Sequence, residues 1–236
     1  MRVYATPQFW WRVAIVFSGF TGLLIGENRV AYYTTQTNLI TLGYFTCALY
    51  WMVHRKTTDA AAPRLRGAIT LWILITGLIS HFLLMGGENP LPGLADPDPR
   101  TALTNWTLFL VHYVVPTLVV VDWVAFGPHR VVPWRNLGLW ILFPLGYGLA
   151  MEIRAALFPV VSDRYPYFFL NPTERGFPWV AQQFLQLAVI FTILAVILLA
   201  LDRLMGRRGH RAAPDDTEPA AAPAPVTAGP RARNLS

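Results

Sequence analysis

Apolar residues in this chain are grouped into six blocks of roughly 20 residues, separated by polar or proline-rich connections. The blocks cover residues 10–26, 36–53, 68–86, 103–126, 136–157 and 179–201. A helix of that length spans the hydrocarbon core of a bilayer. Because every backbone amide in lipid must bond within its own segment, each block is predicted as a helix. The pattern predicts an all-α polytopic membrane protein built as a six-helix transmembrane bundle.

Positive charge is unevenly distributed between the two sides of the predicted membrane. The amino terminus, the second and fourth connections and the tail hold 14 of the 19 Arg and Lys residues, whereas the other connections hold four. Cytoplasmic segments carry such an excess, so both termini are predicted to be cytoplasmic. A basic face against anionic lipid accounts for the net charge of +6. We therefore expect membrane lipid, and no nucleic acid, as a partner.

Composition divides the chain into a transmembrane domain at 1–205 and a tail at 206–236. The tail is rich in Ala, Pro and Arg and poor in large apolar residues, so it is predicted to be disordered. The first block begins with Trp10 and Trp11 and lacks a small-residue cleavage site, so we expect it to remain as the first helix. The predominance of Arg over Lys is typical of G+C-rich bacteria. It predicts a multi-pass protein of a bacterial plasma membrane.

Polar side chains interrupt the apolar blocks at five positions. They are Thr35, Asn38, His81, His112 and Glu152. Such residues are costly in hydrocarbon and mark candidate functional sites. With a rise of about 1.5 Å per residue, the last four reach one level just outward of the midplane. About one turn higher lie Thr34, Thr35 and Arg154. We predict that these groups face a shared cavity in the outer half of the bilayer.

Structural roles are equally consistent with several of these residues. Thr hydroxyls in membrane helices often bond their own backbone, and an Asn often ties two helices together. Thr37 lies nearer than Thr34 in height to His112 and is a further candidate hydroxyl. Asp122 lies near the inner end of the fourth block, where an Arg can pair with it, and is expected to be a structural anchor. The candidates for that pairing are Arg64, Arg66 and Arg135.

Two imidazoles at one height, His81 and His112, admit three interpretations. They are axial ligands of a haem, a proton relay, or a general base that activates a hydroxyl. No HExxH, GxSxG or Cys-rich motif distinguishes these, and the single Cys47 offers no thiolate metal site. The one lysine, Lys56, lies in a predicted cytoplasmic connection, which excludes a retinal Schiff base. Haem is the least favoured of the three, and neither a cofactor nor a metal is expected.

Several motifs are distinctive. They are Tyr33-Thr34-Thr35-Gln36-Thr37-Asn38-Leu39, Arg66-Gly67-Ala68, His112-Tyr113-Val114-Val115-Pro116, Asp122-Trp123, Pro144-Leu145, Tyr147, and Tyr165-Pro166-Tyr167-Phe168-Phe169-Leu170. With them, about residues 10 to 202 resemble the prokaryotic Pr6Pr family of six-helix membrane proteins. More distantly the chain is similar to the animal androgen-induced membrane proteins, threonine hydrolases of fatty acid esters of hydroxy fatty acids. In those enzymes a Thr near a helix start and a His before a small-x-x-Pro stretch form the catalytic pair.

The resemblance implies that His112 is a general base and that a neighbouring Thr is the nucleophile. The animal pattern selects Thr35, three residues before Asn38, whereas the prokaryotic pattern points to Thr34. A neutral imidazole in a desolvated site can accept the proton of a Thr hydroxyl that attacks an ester. Counting from the cytoplasmic ends places either Thr about one turn above His112, so contact is expected to require helix tilt or a deeper second helix.

Supporting roles follow for the remaining polar groups. Asn38, Gln36 or Asn105 could donate to the oxyanion, and Arg154 could hold the carboxylate of a fatty-acyl hydroxy acid. Glu152 could orient an imidazole. The predicted function is hydrolysis of a lipid ester that enters from the outer leaflet. The alternative is a non-enzymatic protein that binds or transports a lipid or small solute through the same cavity; the sequence sets neither the substrate nor an oligomeric state.

Overall fold

The structure is a computed structural model that describes residues 2–26 and 29–211, with side chains up to residue 206. Over these residues it is all-helical and has no strand. The long helices are α1 (Pro7–Ile25), α2 (Tyr33–Arg55), α3 (Pro63–Leu84), α4 (Pro99–Ala125), α5 (Asn136–Leu157) and α6 (Gly176–Arg211). The predicted all-α class is confirmed, and each predicted block corresponds to one helix.

Five of the six helices, all except α2, are long and apolar enough to cross a membrane. The architecture is therefore that of a multi-pass membrane protein. α2 has 23 residues, but hydroxyl and amide side chains fill its first two turns and lower its mean hydropathy. α6 is helical to Arg211, so the first residues of the predicted tail continue the helix. The rest of that tail, 212–236, lies outside the described residues.

The residues at the starts of two helices explain where those helices begin. The Asp98 side chain accepts a hydrogen bond of 3.0 Å from the backbone N–H of Thr101, and Pro99 takes the first helical position of α4. Hydrogen bonds from the side chain and the backbone of Thr101 hold the pKa of the Asp98 carboxyl below its usual value. Thr6 and Pro7 play the same parts at the start of α1. Side-chain caps and prolines thus fix the ends of these two helices.

Two π-helical turns interrupt the long helices, one in α3 at Ile79–Leu84 and one in α4 at Leu110–Val114. Each of them contains one of the two intramembrane histidines. In α4 the cause is visible in the sequence, since Pro116 has no N–H to donate to the carbonyl of His112, four residues earlier. Such turns are frequent at functional sites because they redirect side chains and release backbone carbonyls.

Small residues let α1 and α3 approach the π-helical turn of α4 from two sides. A Cβ on Gly77 of α3 would lie 2.9 Å from the carbonyl oxygen of His112, and one on Gly22 of α1 would lie 2.7 Å from a methyl group of Val111. Neither position has room for a larger side chain. The turn that carries His112 is therefore enclosed by close helix contacts of the kind that small residues allow in membrane proteins.

An ion-pair cluster ties α1, α3 and α4 together at the end of the bundle where α1 and α3 begin and α4 ends. One Asp122 oxygen lies 3.1 Å from Arg12 Nε and the other lies 2.7 Å from Arg66 Nη2. Arg66 also donates to the backbone oxygens of Asp122 and Gly127. All three charged side chains are at most 2% exposed. The expected anchor at Asp122 pairs with Arg66, one of the three candidates; Arg12 was not among them.

Candidate functional site

The Thr34 hydroxyl oxygen lies 3.2 Å from Nε2 of His112. Thr34 is in the first turn of α2, and His112 is in the π-helical turn of α4. Both helices begin at the end of the bundle that carries the long connections after α3 and α5. Helical side chains lean toward the helix N-terminus, so the His112 side chain rises toward the start of α2. This lean helps explain how the two side chains meet despite the expected offset of one turn.

A second hydrogen bond fixes the proton on the His112 ring. Nδ1 lies 2.9 Å from the carbonyl oxygen of Leu108, one turn earlier in α4. A carbonyl can only accept, so in the neutral ring Nδ1 carries the hydrogen and Nε2 has the lone pair. The Thr34 hydroxyl therefore donates to Nε2. This is the arrangement of a hydroxyl nucleophile and its general base.

Asn38 holds the two partners in this position. Its Nδ2 donates to the backbone oxygen of Thr34 at 2.9 Å and to that of Val111 at 3.2 Å. Val111 precedes His112, so one amide bridges both members of the pair. Both amide hydrogens are used, which leaves none for the oxyanion that Asn38 was expected to bind. Its Oδ1 is buried and has no hydrogen-bond partner among the described residues.

The other two hydroxyls of this turn have different surroundings. Thr35 is buried and lines the same cavity as Thr34, the vestibule described below. Thr37 bonds to the Tyr33 carbonyl at 3.0 Å and to the Thr76 hydroxyl at 2.7 Å, which ties α2 to α3. Of these Thr residues, the structure brings Thr34 onto the imidazole.

His81 is not bonded to His112 in the described chain. Its Nδ1 lies 3.1 Å from the hydroxyl of Tyr113, the neighbour of His112. Thr34 and Leu108 engage both ring nitrogens of His112, so the two histidines do not present a pair of open imidazoles to a haem iron. Within the described residues, no group of three or more His, Cys, Asp or Glu side chains could hold a metal ion.

Glu152 and Arg154 lie away from the pair. One Glu152 oxygen is buried without a hydrogen bond in the described chain, and the acceptor that orients His112 is the Leu108 carbonyl. Arg154 donates to the backbone oxygens of Asp163 at 2.9 Å and Ser162 at 3.1 Å. The structure therefore does not give Glu152 the expected role of orienting an imidazole. Arg154 instead holds the connection between α5 and α6.

Three spaces meet at the pair. A vestibule of about 700 Å³ lies at the end of the bundle with the long connections after α3 and α5. It is lined by Arg29, Thr34, Thr35, Asn89, Asn105, His112 and Tyr167, among others. An apolar cavity of about 50 Å³ between α2, α3, α5 and α6 also reaches Thr34. An apolar groove of about 330 Å³ between α3 and α4 reaches His112. An ester carbonyl at the pair would thus have polar space outward and apolar space on two sides.

Sequence reasoning missed Tyr167, which lines both the vestibule and the apolar cavity. The motif from Tyr165 to Leu170 contains it, but an aromatic residue in a membrane-protein loop is usually an interfacial anchor. Its position beside Thr34 follows from how the connection between α5 and α6 folds back over the start of α2.

Comparison of the chain with protein-family models, curated proteins and solved structures finds no match.

Proposed function

We propose that this protein is a membrane lipid-ester hydrolase of the Pr6Pr type in which Thr34 is the nucleophile and His112 the general base. The observation that carries the proposal is the hydrogen bond of 3.2 Å from the Thr34 hydroxyl to Nε2, with Nδ1 fixed by Leu108. Resemblance to the animal threonine hydrolases supports the same pair of residue types. Between the two Thr candidates, the geometry favours Thr34.

The reaction follows the order of other covalent hydrolases. The Thr34 oxygen attacks the ester carbonyl carbon as its proton moves to Nε2 of His112. When the tetrahedral intermediate collapses, the C–O bond to the alcohol breaks and the alcohol oxygen takes the proton from Nε2. The acyl group remains on Thr34. A water molecule then gives a proton to Nε2 and attacks the acyl carbon, which releases the acid and restores the Thr34 hydroxyl as it takes that proton back.

Two of the three spaces suit an amphipathic ester. An acyl chain occupies the apolar groove of about 330 Å³ that reaches His112, whereas the cavity of about 50 Å³ at Thr34 is too small for one. The polar end of the substrate and the hydrolytic water occupy the vestibule, whose lining includes Arg29, Asn89 and Asn105. A membrane lipid or lipid-like ester enters from the bilayer and its products return there.

The proposal includes a topology. α2 completes a six-helix transmembrane bundle with both termini in the cytoplasm, since 14 of the 19 Arg and Lys residues lie on that side. The catalytic pair then opens to the outer face of a bacterial plasma membrane. A cysteine accessibility scan tests this topology. Residues 87–98 should react with an impermeant thiol reagent added outside intact cells, and residues 56–62 should not.

Labelling with a fluorophosphonate probe tests the activity. Purified full-length protein in detergent should label, as should Thr35→Ala, whereas Thr34→Ala and His112→Ala should not. Each variant should first show wild-type thermal unfolding, so that lost labelling reports chemistry. An unlabelled wild type that also fails to hydrolyse p-nitrophenyl acyl esters would contradict the hydrolase and favour a lipid-binding or transport protein with the same cavity.

A further inference from the structure

Attack by Thr34 places negative charge on the ester carbonyl oxygen, and a hydrolase needs donors for it. The three side-chain amides expected to serve donate elsewhere. Asn38 uses both hydrogens on the carbonyls of Thr34 and Val111. Gln36 donates to Val30 at 2.9 Å, and Asn105 donates to Gly93 at 2.8 Å. Gln36 and Asn105 each keep a second amide hydrogen, but these bonds hold the two side chains against the connections before α2 and α4. A donor beside Thr34 itself is therefore the stronger candidate.

Tyr167 occupies the required position. It belongs to the connection between α5 and α6, is only 7% exposed, and lines both spaces that reach Thr34. Its phenol hydroxyl lies beside the Thr34 side chain and the backbone of Tyr33 and Thr34. The oxyanion is the oxygen bonded to the carbon that Thr34 attacks, so it lies close to the Thr34 oxygen. A donor beside the Thr34 oxygen can therefore reach the oxyanion.

The backbone of α2 holds this hydroxyl in place. The first N–H groups of a helix have no partner within it, and the preceding residue, Tyr32, supplies no side-chain cap. The N–H groups of Tyr33 and Thr34 are directed at the Tyr167 phenol oxygen. They use that oxygen as an acceptor, so the phenol O–H is the group that can donate.

The Tyr167 ring is held rigidly. It stacks on Phe169 with centroids 5.1 Å apart and meets Tyr32 edge-on at 5.6 Å. Arg154 and Arg164 tie the same connection back to α5, the latter by a bond of 2.9 Å to the Ala155 carbonyl. A donor fixed before the reaction requires no reorganisation when charge develops.

The hydroxyl also keeps its proton. Burial raises the pKa of Tyr167, and its contacts with Thr34 and with the Tyr33 backbone lower it by less. The net direction is upward, so the phenol is a neutral donor throughout the physiological range.

We propose that Tyr167 is a catalytic residue of the hydrolase and that its hydroxyl donates a hydrogen bond to the oxyanion. This inference rests on the proposed function. It assigns Tyr167, in the connection after α5, to the active site and makes Arg154 a positioning residue for that connection.

The test compares Tyr167→Phe with Tyr165→Phe in the full-length protein, using p-nitrophenyl acyl ester hydrolysis. Each variant loses one hydroxyl and keeps its ring, and Tyr165 lies against Arg164 on the same connection. Tyr167→Phe should lower kcat by about 10²- to 10³-fold with KM unchanged, as loss of one oxyanion donor does. Tyr165→Phe should match the wild type.

Three results would overturn the inference. If the wild type is active and Tyr167→Phe has the same kcat, the hydrolase stands and Tyr167 is not the donor. If Tyr167→Phe raises KM and leaves kcat unchanged, the hydroxyl binds substrate and does not stabilise the transition state. If the wild type neither hydrolyses esters nor labels with fluorophosphonate, the proposed function fails and the role of Tyr167 fails with it.

Discussion

The Asn38 amide donates across the helix interface to the carbonyl of Val111, at 3.2 Å. That carbonyl lies in the π-helical turn of α4, immediately before His112. The same amide bonds back to Thr34 at 2.9 Å. Asn38 therefore sets the separation of Thr34 and His112, the proposed nucleophile and base.

Asn38→Ala should weaken this arrangement, because two buried acceptors lose a donor. We expect the free energy of unfolding to fall by about 1–3 kcal/mol and fluorophosphonate labelling to slow. Thr41→Val is the matched control in the same helix, since the Thr41 hydroxyl is buried without a partner in the described chain. Its removal should leave stability unchanged or raised. Equal loss of labelling in both variants would contradict the role of Asn38.

The ion-pair cluster of Arg12, Arg66 and Asp122 leads to a different prediction. Asp122→Ala leaves Arg12 and Arg66 buried without a carboxylate, so stability should fall by about 3–5 kcal/mol. Asp59→Ala removes an exposed carboxylate that bonds to Thr57, and it should change stability little. Thermal unfolding in detergent compares the two. An Asp122 variant as stable as the Asp59 variant would show that the cluster does not hold α1, α3 and α4 together.

Gly77 tests the packing around the π-helical turn. A Cβ there would lie 2.9 Å from the His112 carbonyl, so Gly77→Ala should push α3 away and destabilise the protein by about 1–3 kcal/mol. Gly43 in α2 has open space around it. Gly43→Ala should stabilise by about 0.5–1 kcal/mol, because Ala favours a helix. Unfolding midpoints that shift in the same direction would contradict this account.

An Arg154 variant distinguishes two roles for this residue, that of a loop anchor and that of a substrate ligand. As a loop anchor it positions Tyr167, so Arg154→Ala should lower kcat equally for esters with and without a free carboxylate. As a carboxylate ligand it would raise KM for the anionic esters alone. Paired assays on one neutral and one anionic ester of equal chain length separate the two roles. A selective loss for the anionic ester would restore the role expected from sequence.

Much of the helical framework could be predicted from the sequence. Lipid imposes one structure on each apolar block, so the six helices followed from hydropathy. The helix ends differ from the predicted blocks where capping residues set them. Asp98 and Pro99, for example, begin α4 before its apolar block. The polarity of α2 was visible in the sequence. The two π-helical turns were not, because placing residues by a constant rise assumes α-helical geometry throughout.

The site was less predictable because it depends on helix rotation. Height along the helix axis brought Thr34, Asn38 and His112 into one region, but it could not separate Thr34 from Thr35. Glu152 reaches a similar height and still faces elsewhere. Tyr167 lies in a connection, whose path over the start of α2 depends on long-range contacts such as those of Arg154 and Arg164.

Peptide mass spectrometry after fluorophosphonate labelling locates the covalent adduct and so shows whether Thr34 is the residue that attacks. We predict an adduct on Thr34 in the wild type and in Thr35→Ala, and none in His112→Ala. An adduct on Thr35, or labelling that persists in Thr34→Ala at the wild-type rate, would contradict the account.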